Sequence, residues 1–192
     1  MIYTGKLTVT ALPPFSFTLS SKIFAKGDRQ IRNYKNGRFW QVINGKEKLI
    51  LAIVAATGTV DTPELQVELK SNKKITAEDK KKAKAAVNTI FSLDLDLAPF
   101  YETVKDEQVM INITRKLWGL KTLAALTVFE ALIDAIIEQQ ILMKVATSIE
   151  NRIVNNFGDV LDLNGTVYYA YPTAQRLANV SAEKLRHCGL SY

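Results

Sequence analysis

Residues 128–157, VFEALIDAIIEQQILMKVATSIENRIVNNF, constrain the fold more than any other stretch of the chain. Phe129, Leu132, Ile133, Ile136 and Ile137 recur at helical spacing, and Ile141, Val145, Ile149, Ile153 and Phe157 mark a second stripe that Gly158 closes, after which Asp159 to Thr166 reads as a loop pinned by Leu161 and Leu163. One helix over the whole span would be long for a globular domain. The pattern therefore predicts two amphipathic helices with a break near Gln139-Gln140, which places two amide side chains at a polar corner between buried helices.

The first half reads differently. Ile2 to Leu12 alternates roughly and stops at Pro13-Pro14. Phe15, Phe17 and Leu19 alternate again. Asn36-Gly37 and Asn44-Gly45 are hairpin signals, because each pair tolerates positive φ, and Arg38 to Ile43 between them must be a strand. Glu47 to Ala56 is a mostly apolar strand, and Leu65, Val67 and Leu69 alternate with Gln66 and Glu68. Thr76 with Asp79 three residues on forms a capping box, after which Ala83, Val87, Ile90 and Phe91 make an apolar stripe. Lys80, Lys81, Lys82 and Lys84 face water on that helix, either as a solvated face or as phosphate contacts. Arg29, Arg32 and Lys35 are read as surface decoration or the rim of a binding face.

The charge is uneven. Residues 1–92 hold 16 Lys and Arg against 7 acids, and residues 93–192 hold 9 against 12. A basic first half suits a polyanionic partner without proving one. The single cysteine, Cys188, excludes an internal disulfide and fits a reducing compartment, so a cytoplasmic location is expected. The longest apolar run, Leu49 to Ala56, is eight residues, too short to span a membrane. His187 and Cys188 are neighbours on one short helix with no further ligands nearby, so neither a metal site nor a nucleophile pair is expected, and no cofactor is implied.

Four blocks in order carry a resemblance. FEALIDAIIEQQI is similar to the FE-x-L-x-x-x-I-x-x-QQ-I signature of the helix-hairpin-helix DNA glycosylases, in particular the DNA-3-methyladenine glycosylase II branch. LDLDLAPFYETVKDE lies upstream, Phe157-Gly158 and YYAYPTAQRLANVSAEKLRHCGLSY lie downstream, and a basic, aromatic-rich β region precedes them all. The resemblance implies an α+β chain. A small antiparallel β-sheet domain with a packed helix would occupy residues 1–92, and the first helices of an all-helical glycosylase domain residues 93–192, stopping before the hairpin.

It also implies a function, the removal of alkylated, deaminated or oxidised purines from double-stranded DNA by hydrolysis of the N-glycosidic bond. Such an enzyme must extrude the damaged nucleotide, which costs a few kcal/mol of unstacking, and must fill the gap. By resemblance the side chain entering the duplex is Gln140, with Gln139 holding the turn and Lys144 close by as a further DNA contact. The family's serine cap two positions after the second glutamine is here Leu142, its glycine before the pair is Glu138, and its Phe before Pro-Thr is Tyr171. Asp94 and Asp96 stand too early to be the catalytic aspartate and are expected to act as caps. That aspartate and the hairpin are expected beyond Tyr192, so the 192-residue chain alone is expected to be inactive, and a non-catalytic DNA-binding or structural role is the alternative. An apolar face around Phe129 and Ile133, left without its covering helices, would favour self-association.

Overall fold

The structure, a computed structural model, describes residues 1–139 and 141–190. Five strands, β1 (Tyr3–Thr10), β2 (Arg32–Lys35), β3 (Arg38–Asn44), β4 (Leu49–Ala56) and β5 (Glu64–Ser71), form an antiparallel sheet of order β1-β5-β4-β3-β2. Asn36 and Gly37, at φ 52° and 74°, make the tight β2–β3 turn. The β3–β4 turn is longer than Asn44-Gly45 predicts. The Gly45 N–H bonds the Lys48 carbonyl at 2.8 Å, and the positive φ, 56°, falls on Glu47.

Helix α2 (Ala77–Phe91) covers one sheet face. Side chains from alternate strand positions, Phe39 and Ile43, Ile50, Ala52 and Val54, and Leu65, Val67 and Leu69, meet Ala83, Val87, Ile90 and Phe91 of the helix. Phe91 is the hub, with the rings of Phe39, Phe17 and Phe15 centred 5.1, 5.3 and 6.2 Å away. The segment Phe15 to Leu19 does not continue as a strand. Ser16 caps a short helix, α1 (Phe17–Ser21), whose N–H at Leu19 reaches its hydroxyl, and a 3-10 turn follows at Lys22–Lys26.

The opposite sheet face is covered too. Asp159 to Thr166 is not a loop: β6 (Asp159–Leu163) and β7 (Thr166–Ala170) pair as a hairpin turned at Asn164-Gly165, with φ 54° and 88°. Leu161, Leu163 and Ala170 pack on Val42 and Leu51. This is why β4 reads as a continuous apolar run, since both of its faces are buried. The second half of the chain is thus mostly helical with one hairpin returned to the sheet.

Between these lie α3 (Ala98–Thr103) and α4 (Gln108–Lys116), and after them α5 (Val128–Ile137), α6 (Met143–Phe157), α7 (Ala174–Ala178) and α8 (Ala182–His187). Asp96 caps α3 at the Ala98 N–H, and Asp94 accepts from the Asn88 amide, so both serve the chain crossing. Gly119 ends the α4 region at φ 76°, and its carbonyl accepts from the Ser16 N–H at 2.7 Å. A Cβ there would sit 2.8 Å from that nitrogen, so glycine is required twice over. Two residues on, Lys121 is 1% exposed and donates to the carbonyls of Leu12 and Leu93, each at 2.9 Å. This lysine stitches the exits of β1 and α2 to the helical half. Burial lowers its pKa, opposed by the nearby Asp94 and Asp96.

Candidate functional site

The two helical stripes fold as two helices, and the described residues on both sides of their junction, 138–139 and 141–144, are exposed. Thr127 caps α5, its hydroxyl accepting from the Glu130 N–H at 3.0 Å. The helix ends at Ile137, Glu138 still bonding the Asp134 carbonyl at 2.9 Å and the Gln139 N–H reaching Ile136 at 3.4 Å. Helix α6 then starts at Met143. Its N-cap, Leu142, is extended at φ −67°, ψ 137° and offers no side-chain acceptor, so the cap that a serine would supply is missing.

Of the predicted site residues, Gln139 is exposed at the end of α5 and Lys144 is exposed in the first turn of α6. Gln140, the position assigned to the duplex, lies outside the described residues. Glu138 does not pair with Lys144 among the described residues; it lines a cleft beside Arg32 and Glu150. On its α6 side the junction also carries exposed apolar side chains, Leu142 at 77% and Met143 at 60%. The open apolar face of α5 is carried by Val128, Leu132 and Ile136, while Ile133 turns inward onto the cluster of Ile137, Ala146, Ile149 and Ile153. The expectation that Ile133 anchors the open face is corrected by that rotation.

Beneath the junction sits a charge cluster that sequence reading misses. Arg32, on edge strand β2, is no surface decoration. Its guanidinium meets Glu150 of α6 at 2.7 Å, Glu130 of α5 at 3.4 Å and Asp134 of α5 at 4.0 Å. Its charge also lies 5.2 Å from the centre of the Phe24 ring. Tyr171 donates its hydroxyl to Asp134 at 2.6 Å, which gives the Tyr-for-Phe departure a physical role. The signal was present in the chain as Glu130 and Asp134, four residues apart on an otherwise apolar helix. Their common partner is a hundred residues away and invisible to local periodicity.

One cation cannot neutralise three carboxylates. Burial pushes the Glu130 carboxyl up to about 7, with Arg32 opposing and Asp134 assisting. Burial likewise raises Glu150, against the pull of Arg32. Burial works against the Arg32 charge, but Glu150, Glu130 and Asp134 outweigh it and hold its pKa above the ordinary value. Burial and the bond to Asp134 raise the Tyr171 hydroxyl, so it stays a donor. The cluster fixes α5 and α6 against the sheet edge. Its carboxylates are bound to Arg32, a structural arrangement in contrast to a free acid–base pair. A cleft of about 250 Å³ opens beside it between β3, α5 and the Tyr171-Pro172-Thr173 segment, small for an organic ligand. Among the described residues no group of His, Cys, Asp and Glu could hold a metal ion. No helix among them is long and apolar enough to cross a membrane.

No family model matches the chain. A DNA-3-methyladenine glycosylase from Bacillus subtilis (strain 168) is 36% identical over 95 residues, which cover 50% of this chain and 31% of that protein. Among solved structures, a 3-methyladenine DNA-glycosylase from Archaeoglobus fulgidus superposes on 96% of the chain with a TM-score of 0.81 at 21% identity. An 8-oxoguanine glycosylase/lyase from Clostridium acetobutylicum, solved with double-stranded DNA containing cytosine opposite 8-oxoguanine, superposes on all of it with a TM-score of 0.69 at 19% identity. In fold, the chain is similar to a part of these two glycosylases. It spans 62% and 60% of those two structures and under a third of the Bacillus protein. The glycosylase fold thus accounts for the sheet with its helix, the α5–α6 pair and the hairpin that returns to the sheet. Two such different base specificities share this portion, so the portion itself is a scaffold common to both.

Proposed function

We propose that this chain is the DNA-engaging front part of a base-excision-repair glycosylase acting on damaged purines in duplex DNA, in the cytoplasm. The observation that supports the reading is the pair α5 and α6, exposed at their junction and tied to the sheet edge by Arg32, within a fold that superposes on glycosylases over nearly its whole length. Extrusion of a nucleotide leaves a hole that a side chain must occupy, and a rigidly backed turn is suited to that task. Gln140 enters the duplex, Gln139 shapes the turn and Lys144 meets a phosphate. Hydrolysis of the glycosidic bond is assigned to the whole protein, since the chain spans only part of the length of the relatives it matches. The alternative is a non-catalytic DNA-binding module, and the exposed Val128, Leu132 and Ile136 favour self-association of the isolated chain.

The test is binding by fluorescence anisotropy to a duplex bearing a tetrahydrofuran abasic analogue and to the same duplex intact. The expected result is a preference for the abasic duplex that Gln140→Ala removes. Equal affinity for the two duplexes, or a preference indifferent to Gln140, would reject the reading. The isolated chain is expected to excise neither hypoxanthine nor 3-methyladenine.

A further inference from the structure

The chain's excess positive charge is gathered at one corner of the sheet, remote in contact from the α5–α6 junction. By strand register, the end of β3 at Asn44, the start of β4 at Leu49 and the end of β5 at Ser71 meet at one end of the sheet. The β3–β4 turn and the β5–α2 connection emerge there beside the first turns of α2. Asp79 locks the three together. It is fully buried and accepts from the Lys46 N–H, the Lys48 ammonium and the Thr76 N–H, each at 2.8 Å. Lys48 also reaches the Lys74 carbonyl at 2.8 Å, and Lys82 lies 3.4 Å from the Gly45 carbonyl.

Residues 45–48 and 72–84 carry eight lysines, no arginine and three acids. Lys48 neutralises Asp79, and Lys46 pairs with Glu78 at 3.0 Å. Six lysines, at 73, 74, 80, 81, 82 and 84, then stand exposed against Glu47 alone, an excess of five in a chain whose whole net charge is six. The rest of the molecule is nearly balanced. Lysines are point charges that meet phosphate without the fork geometry that reads bases. They are mounted on a helix and turns fixed by Asp79, so the backbone that carries them is already ordered before binding.

We infer that this corner is a second DNA surface, which holds the phosphate backbone of undamaged duplex without regard to sequence while the α5–α6 junction probes for lesions. The inference rests on the reading of the chain as a DNA-binding glycosylase portion, and the occupant is argued from charge complementarity. The corner's contacts run to β1, β3, β4 and β5, whereas the junction packs toward the 3-10 turn and β2, so the two surfaces are separable by mutation.

The experiment compares the 192-residue chain with Lys80→Gln/Lys81→Gln/Lys84→Gln and with a control carrying Lys105→Gln/Lys116→Gln/Lys184→Gln. Both sets remove three exposed charges, and glutamine keeps helix propensity. Affinity for intact duplex is measured from 50 to 200 mM salt. The corner variant is expected to bind on the order of 10-fold more weakly at low salt, with the slope of log K against log salt shallower by up to about 2.7. The control is expected to keep the parent slope. Equal losses in both variants would mean that net charge alone acts, and would overturn the inference. So would corner-dependent binding to phosphatidylserine vesicles without corner-dependent binding to duplex. An abasic preference that survives while the corner variant keeps the parent slope defeats the inference and leaves the functional reading standing. A corner-dependent slope without any abasic preference does the reverse.

Discussion

Glu130→Gln is expected to stabilise this protein at alkaline pH, although it removes a carboxylate from an arginine. Arg32 is one cation facing three carboxyl groups, those of Glu130, Asp134 and Glu150. Glu150 holds the shortest contact, 2.7 Å, so Arg32 stays paired when Glu130 is neutral. Glu130 is 2% exposed, and its carboxyl is raised from 4.5 to about 7. An acid whose folded pKa is raised binds its proton more tightly in the folded state. Its contribution is therefore present below pH 4.5 and is lost as pH rises through about 7. The rise corresponds to a loss of about 3 kcal/mol between those limits. Glu150, raised in the same direction, adds to the decline. The amide is isosteric with the protonated acid and keeps one oxygen for the Leu126 N–H, now 3.1 Å away. Urea denaturation followed by the fluorescence of Trp40 and Trp118, at pH 5 and pH 8, tests this. At pH 5 the variant and parent should agree within about 1 kcal/mol, and at pH 8 the variant should be more stable by about 3 kcal/mol. A variant less stable than the parent at pH 8 would show that the Glu130 carboxylate is a net stabilising partner, and the charge-count argument would be wrong. Arg32→Met provides the contrast. It strands three carboxylates and should cost about 3–5 kcal/mol at pH 8, with part of the loss recovered at pH 5.

Two further changes address the helix ends. Asp79→Ala removes the acceptor shared by Lys46, Lys48 and Thr76 and should cost about 3–5 kcal/mol in the same denaturation assay at neutral pH. Burial alone would raise the Asp79 pKa, but the hydrogen bonds from Lys48, Lys46 and Thr76 hold it well below the ordinary carboxylate range. Its stabilisation is thus present above the unfolded value of 3.8 and fades only in strong acid, so the variant's deficit should shrink there. Leu142→Ser installs the missing acceptor at the start of α6 and should raise stability by ~1 kcal/mol. A thermal melt in which it lowers stability would place an unrecognised packing role on the 77% exposed Leu142.

What was legible in the chain was whatever depends on neighbours in sequence. The stripes before and after Gln139 gave two helices, Thr76 and Asp79 gave the capping box, and alternation gave β5. The β6–β7 hairpin was equally local, since Asn164-Gly165 is the same signal as Asn36-Gly37, and Leu161, Leu163, Val167 and Tyr169 flank it. Reading that stretch as a loop passes over the signal because the surrounding helices dominate the resemblance. The doubly buried β4 was the second clue, as an open-faced strand would not read Leu-Ile-Leu-Ala-Ile-Val. The Arg32 cluster and the role of Lys48 on Asp79 were not legible, because each depends on residues that only the tertiary fold brings together.

The two charge arrangements bear on function in opposite ways. On the proposed function, a phosphate backbone at the α5–α6 junction would face the exposed Lys144, with the carboxylates of Glu130, Asp134 and Glu150 on the same two helices. If all three were ionised, the cluster with Arg32 would present two net negative charges near the surface proposed to contact DNA. The Glu130 carboxyl, raised to about 7, reduces that repulsion near neutrality by retaining part of its proton. The lysine corner stands away from the cluster and carries an excess that salt, not pH, attenuates. Affinity for intact duplex should therefore vary mainly with salt. The additional affinity for an abasic duplex should weaken between pH 6 and pH 8, as the buried Glu130 carboxyl loses its proton, and Glu130→Gln should reduce that dependence.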